Sequence, residues 1–162
     1  MADDEREVQH FLEHWFAGLM SGLENLDRPD REAVLRHCGQ ACADSYTAEL
    51  FRTARAQSSD MEAFTARLAE CFPQASYELL AADTLRVRYR ACACDLVRLG
   101  LVRSPLLCTC SSYNLQANLE RALGLPVSVR LEASILQGAD QCSFLVSLAA
   151  PGETPPLPDR RL

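Results

Sequence analysis

Apolar residues recur at three- and four-residue spacing through the first half of the chain and at two-residue spacing through much of the second, which predicts helices followed by strands. Over positions 7–26, Val8, Phe11, Leu12, Trp15, Phe16 and Leu19 mark the stripe of a first helix, weakened toward its end by Gly18 and Gly22. Asp27 as a cap and Pro29 in a first turn restart the chain. From there Val34, Leu35, Cys38, Cys42, Tyr46 and Leu50 line one face of a second helix reaching Arg55, with Gly39 as an internal cost. Ser59 followed by Glu62 reads as a capping box for a third helix, whose stripe is Phe64, Leu68, Cys71 and Phe72 and whose end is Pro73.

The period then changes. Tyr77 to Leu80, a turn at Ala82-Asp83, and Leu85 to about Cys94 predict a β-hairpin in which Leu85, Val87, Tyr89 and Ala91 alternate with Arg86, Arg88, Arg90, Cys92 and Cys94. A loop through Pro105 leads to Cys108 and Cys110. Leu115, Leu119 and Leu123 then predict a fourth helix, closed by Gly124. Val127, Val129 and Leu131 alternate with Ser128, Arg130 and Glu132 in a further strand, and Gly138-Ala139-Asp140 turns into a last one carrying Cys142, Phe144, Val146 and Leu148 on one face. The pattern is an α+β domain over 1–150: a mainly helical part, 7–72, packed with a ββαββ part, 76–148, whose antiparallel sheet is built from two β-hairpins separated by a helix. Positions 151–162 hold four of the eight prolines and read as a disordered tail.

At 162 residues the chain is long enough to bury a core without disulfides. Sixteen Lys and Arg against 22 Asp and Glu leave a net charge of −6, so no global field draws in nucleic acid or anionic lipid. No apolar run approaches the ~18 residues of a membrane span, and the acidic start has no signal-peptide pattern, so a cytoplasmic protein with reduced thiols is expected. No G-x-S-x-G, P-loop or G-x-G-x-x-G occurs, which leaves nucleophilic serine and nucleotide chemistry unsupported.

The eight cysteines carry the candidate chemistry. On a strand, i and i+2 point to one side, so Cys92 and Cys94 are expected to present two sulfurs together. Cys108 and Cys110 offer two more ahead of the fourth helix, and four thiolates complete a tetrahedral zinc site, with Cys142 as replacement or fifth thiol. Soft thiolates suit an iron–sulfur cluster or Cu(I) equally. Buried free thiols, and redox or disulfide chemistry, remain as alternatives. Cys38 and Cys42, spaced i,i+4 beside His37, form half of a metal site or a redox pair, with packing on the apolar stripe favoured; Cys71 reads as core. His10 and His14 lack the H-E-x-x-H order of a metallohydrolase. Arg86, Arg88 and Arg90 share a strand face that would bind a carboxylate ligand, against the alternative of solvated residues paired to Glu132 or Glu78.

The stretch from Cys92 to Val146, with two C-x-C pairs, C-x-C-S before a helix, and G-L-P-V-S-V-R-L-E-A-S-I-L-Q-G-A-D-Q-C-S-F-L-V, resembles the L-2-amino-thiazoline-4-carboxylic acid hydrolase-like family and, more distantly, the 4-vinyl reductase domain that also serves as the sensor of phenol-responsive bacterial activators. The resemblance covers about a third of the chain. It implies an α+β fold around a small-molecule pocket, often as a dimer. The zinc site of the sensor branch, carried over by position, falls on Cys108, Leu131, Ser134 and Cys142, two of which are not ligands of the family's type. The hydrolase-like branch carries paired C-x-C elements, kept here with Ala93 and Asp95 where that branch has an aromatic and a proline. The expectation is a small-ligand-binding domain with a cysteine-held metal, structural or sensory. The alternatives are a hydrolase opening a cyclic amidine or thiazoline ring, with Cys110 or an open-sited zinc as its reactive centre, and a protein-interaction scaffold.

Overall fold

The structure is a computed structural model and describes residues 2–149; the expected tail at 151–162 lies outside the described residues. Helices α1 (Ala2–Asn25), α2 (Arg28–Cys42), α3 (Ala48–Ala56) and α4 (Met61–Cys71) lead into strands β1 (Ala75–Ala81) and β2 (Thr84–Tyr89). A short α5 (Asp95–Arg98) and a long α6 (Leu106–Leu123) precede β3 (Val127–Ala133) and β4 (Cys142–Leu148). The four strands form one antiparallel sheet in the order β1-β2-β4-β3, two hairpins joined through β2 and β4.

One sheet face is apolar and takes the helices. Leu85, Val87, Phe144, Val146 and Val127 pack with Phe51, Phe64, Leu68, Leu115 and Leu119, as the alternation requires, because a one-residue slip would bury arginines. Tyr89, Val129 and Leu131 pack against the same cluster. The other face is polar. Arg86 donates to Glu132 at 3.0 Å and Arg88 to Glu78 at 2.7 Å, the cross-strand pairing that neutralises a solvated strand face. Arg90 falls beyond the end of β2, exposed, with its backbone N–H donating to the Gln74 carbonyl.

Several elements differ from the sequence pattern for definable reasons. The cap of α4 is Asp60, whose carboxylate accepts from the Ala63 N–H, while Ser59 donates to that carboxylate. The expected single helix over 29–55 is interrupted by a π-helical turn at Ala43–Thr47. There Thr47 donates to Asn118 of α6, and the buried Asn118 donates onward to Asn114. The face of α2 that packs is also not the cysteine stripe. Its buried residues are Leu35 and Gly39, followed by Ala43 and Ala48, whereas Val34, Cys38, Cys42, Tyr46 and Leu50 are exposed. Cys71 is likewise exposed on α4 rather than in the core.

Gly39 explains the choice. A Cβ there would lie 2.7 Å from the Cys110 carbonyl oxygen, 2.8 Å from the Asn114 nitrogen and 2.8 Å from the Tyr113 Cβ. The backbones of α2 and α6 therefore meet at a distance only glycine permits, so the smallest residues, not the most apolar, define the contact. Gly39→Ala should force the two helices apart and lower stability by about 1–3 kcal/mol, read as a shifted urea midpoint with an unchanged slope. An unshifted midpoint would show that the crossing is wider.

Candidate functional site

The crossing decides where the thiols go. Cys108 and Cys110 lie inside the first turns of α6, which begins at Leu106, ahead of both cysteines rather than after them. On a helix, i and i+2 point about 200° apart, so this C-x-C cannot present two sulfurs together as expected. Cys108 turns toward the sheet end, where its sulfur lies 2.9 Å from the Ser134 hydroxyl. Cys110 lies at the α2 crossing, in the electrostatic range of Cys38, Cys42 and Cys94.

The first C-x-C is split as well. β2 ends at Tyr89, so neither Cys92 nor Cys94 is on a strand. Cys94 is the extended cap residue of α5, and its carbonyl accepts from the Val97 and Arg98 N–H groups. The thiols fall into two loose electrostatic neighbourhoods. Cys92, Cys108 and Cys142 gather at the end of the sheet core; Cys38, Cys42 and Cys110 gather at α2; Cys94 neighbours both. Tyr46 reaches the first residue of α5, donating to Asp95 at 3.5 Å, which ties the π-helical turn to the cap at Cys94.

Between these groups lies a second apolar cluster, separate from the sheet core. Met20, Leu23, Leu35, Leu101, Val102 and Leu107 are its buried members, and Leu12, Phe16, Cys94 and Cys110 pack against it. Helix α1 forms its roof. Polar ties that hold it include the Gln9 amide donating to the Leu99 carbonyl at 3.0 Å, Ser104 donating to Glu24 at 3.3 Å and the Arg31 guanidinium donating to the Glu24 carbonyl at 3.4 Å.

Burial disfavours the thiolate form at Cys42, Cys92, Cys94, Cys108 and Cys110. Burial, then the neighbouring thiols Cys38, Cys42 and Cys94, push Cys110 from 9.0 up to about 12. Burial raises Cys92, Cys94 and Cys108 too, partly offset at Cys108 by the bond to Ser134. Cys42, although it reaches solvent, is also raised by partial burial. A nucleophilic thiol needs the opposite shift and an adjacent base; Cys110 as a reactive centre has neither.

The sensor-type zinc set does not fit this chain. Its four positions do converge on one region, but Leu131 has no donor atom, and two ligands on one tetrahedral zinc stand roughly 3.5 Å apart whereas Cys108 and Ser134 touch directly at 2.9 Å. Among the described residues, no three His, Cys, Asp or Glu side chains are disposed to hold an ion. Arg86 and Arg88 are engaged by carboxylates on the far face of the sheet, away from the thiols. Burial opposes ionisation of Glu132, yet hydrogen bonds from Arg86 and Ser143 hold its carboxyl below the usual range. The direct contact of Ser134 with Cys108, and Met20 and Leu23 on the underside of α1, are the site features the residue pattern did not reveal. The i,i+4 cysteines flanking Gly39 were the available signal for the α2 side.

No family model matches the chain, and no curated protein matches it. Solved structures share its fold. The crystal structure of the phenol-responsive sensory domain of the transcription activator PoxR with phenol is similar at a TM-score of 0.54 and 13% identity, over 88% of this chain and 73% of that one. A trafficking protein particle complex subunit 3 from Naegleria fowleri, covalently bound to palmitic acid, is similar at 0.50 and 12% identity, over 90% and 97%. Among the described residues, no helix is long and apolar enough to cross a membrane.

Two outcomes follow from the thiol geometry. A brief pulse of iodoacetamide at pH 8 should modify Cys38 and Cys71 while sparing Cys108, Cys110 and Cys142 until denaturant is added; Cys110 labelling as fast as Cys38 would contradict the burial. A thiol with a raised folded pKa contributes stability that is complete below the unfolded value near 9 and is lost as pH climbs toward 12. Stability should therefore fall above pH 9, and Cys110→Ala should flatten that fall while lowering stability at pH 7.

Proposed function

We propose that this chain is a small-ligand-binding sensory domain whose ligand is largely apolar and enters the second cluster beneath α1. The observation that carries the reading is that cluster itself: a second packed apolar cluster distinct from the sheet core, covered on one side by α1 and bordered by Cys94 and Cys110, whose thiolate forms burial disfavours. Such a compartment opens at low cost compared with a core built across a sheet. The shared fold supports it, since one similar structure is a sensory domain with phenol and another carries palmitic acid. An anionic ligand on Arg86 and Arg88 would first have to displace Glu132 and Glu78. The apolar compartment needs no such exchange.

A second reading keeps the metal. Cys92, Cys108 and Cys142 are soft donors gathered at the sheet end, with Cys94 beside them. A shift of the 90–95 segment would let them close on zinc, Cu(I) or an iron–sulfur cluster as a structural or sensory centre. Elemental analysis of protein purified in reductant without added metal should then give about one ion per chain. Metal near zero, with all eight thiols titratable, removes this reading and leaves the first intact.

The ligand reading is tested by thermal denaturation and titration calorimetry with phenol, alkylphenols and medium-chain fatty acids. A bound ligand at 100 times its dissociation constant adds about 2.7 kcal/mol, which for a domain of this size raises the melting temperature by roughly 5–10 °C. Met20→Trp, which fills the cluster from the roof, should abolish that rise with the circular dichroism spectrum kept. No rise and no heat with any of these compounds at millimolar concentration, from natively folded protein, would overturn the proposal.

A further inference from the structure

The thiols of α2 share one flank of the Gly39 crossing. With Gly39 facing α6, Leu35, Cys42 and Cys38 lie about 40°, 60° and 100° to one side of it, while Arg36 and Gln40 lie to the other. Leu35 is a buried member of the second cluster, and Cys94 and Cys110 pack against that same cluster. The Cys110 carbonyl meets the Gly39 backbone. The Tyr46 hydroxyl, one turn beyond Cys42, donates at 3.5 Å to Asp95, the residue after Cys94. Cys38 and Cys42 are exposed and stand one turn apart, with Cβ atoms about 5–6 Å from each other, and the half-buried Cys110 lies in their electrostatic range. Cys38 and Cys42 take no part in either reading above.

We propose that Cys38, Cys42 and Cys110 form a capture site for a trivalent arsenic oxyacid, arsenous acid, each thiol replacing one hydroxyl of the acid. Arsenic stays trivalent throughout. For each bond made, the sulfur lone pair forms As–S, the As–O bond breaks, and the thiol proton leaves on the departing hydroxide as water. Three such exchanges convert As(OH)₃ and three thiols into a neutral trithiolate and three waters. No oxidant is consumed and no charge changes.

Charge selects this class of ligand. Zinc held by three or four thiolates is an anionic complex, which must shed protons to form and then sit against Leu35, Leu101 and Leu107 of the second cluster. Burial works against that state, since it disfavours the thiolate at Cys42 and Cys110. A ligand that takes neutral thiols and leaves a neutral product meets no such penalty, and sulfur is a soft donor for a soft centre. Among the described residues, no three side chains are disposed to hold an ion beforehand; Cys38 and Cys42, being exposed, turn about Cα–Cβ toward Cys110 as successive bonds form. The resulting clip ties α2 to α6 at the rim of the second cluster. It does not rest on an apolar ligand entering beneath α1.

Native mass spectrometry tests it on the full chain, reduced with a phosphine, stripped of metal and titrated with sodium arsenite. The expected product is one arsenic per chain with three thiol hydrogens lost. Cys38→Ala and Cys42→Ala, at exposed positions that leave the core intact, should each weaken binding about 100-fold, because one arm of the chelate is gone. Cys71→Ala and Cys92→Ala should bind as the wild type does. Arsenite should also protect Cys38 from the iodoacetamide pulse while Cys71 still labels. Because neutral thiols exchange for water, affinity should stay level between pH 6 and 8, whereas a complex formed by releasing protons tightens over that range. No adduct at millimolar arsenite, an adduct that loses only two hydrogens, one that survives removal of both Cys38 and Cys42, loss of the adduct on Cys92→Ala, or an affinity that climbs with pH would each overturn the proposal.

Discussion

The backbone contact between Gly39 of α2 and the first turns of α6 is the constraint on which the rest depends. At the 2.7 Å a Cβ would have from the Cys110 carbonyl, no other residue fits without displacement. The contact fixes the azimuth of α6. That azimuth places Leu115 and Leu119 on the sheet, Cys108 against Ser134 and Cys110 on the α2 side. The hydrogen-bonded line from Thr47 through Asn118 to Asn114, with Asn114 donating to the Gly39 carbonyl, repeats the same registration in polar terms. A buried amide ladder of this kind rigidifies because each member left unpaired would be costly.

From that registration the two apolar compartments separate. The sheet core is built from paired strands and the three helices α3, α4 and α6 and has no roof to lift. The second cluster takes Met20 and Leu23 from α1, which is itself half covered, and its other buried members from α2, the 101–102 segment and α6. Thiols border the seam because they are small, apolar when protonated and tolerant of the irregular packing where two clusters meet. Burial disfavours ionisation of Cys108 and Cys110, which suits thiols packed at an apolar seam. The same shift disfavours the thiolate that nucleophilic catalysis by Cys108 or Cys110 would need.

Much of this was legible in the residues. Two-residue alternation in Leu85, Val87 and Tyr89, and in Val127, Val129 and Leu131, correctly assigns the sheet's inner face, and the Arg86–Glu132 and Arg88–Glu78 pairs are those the alternation suggested. Gly124, at φ 68°, closes α6 as its position implied. The azimuths of α1 and α2 were not legible. Both helices have apolar residues over more than half their circumference, so periodicity alone cannot say which part faces inward. In α2 the answer lay in Gly39 and Ala43, whose small size a hydrophobic pattern weighs least. The expectation that each C-x-C pair presents its sulfurs on one side fails for a related reason. Whether a C-x-C shares a side depends on strand or helix geometry, and β2 stopped three residues short of Cys92 while α6 began two residues before Cys108.

Hydrogen exchange of the full chain with and without an added alkylphenol tests the central claim most directly. The account expects slowed exchange in α1, in the 99–104 segment and in the first turns of α6, with the strands unchanged, because the ligand fills the compartment that these segments enclose. Protection confined to β2 and β3, beneath the Arg86 and Arg88 face, would place the ligand on the opposite side of the sheet and contradict it.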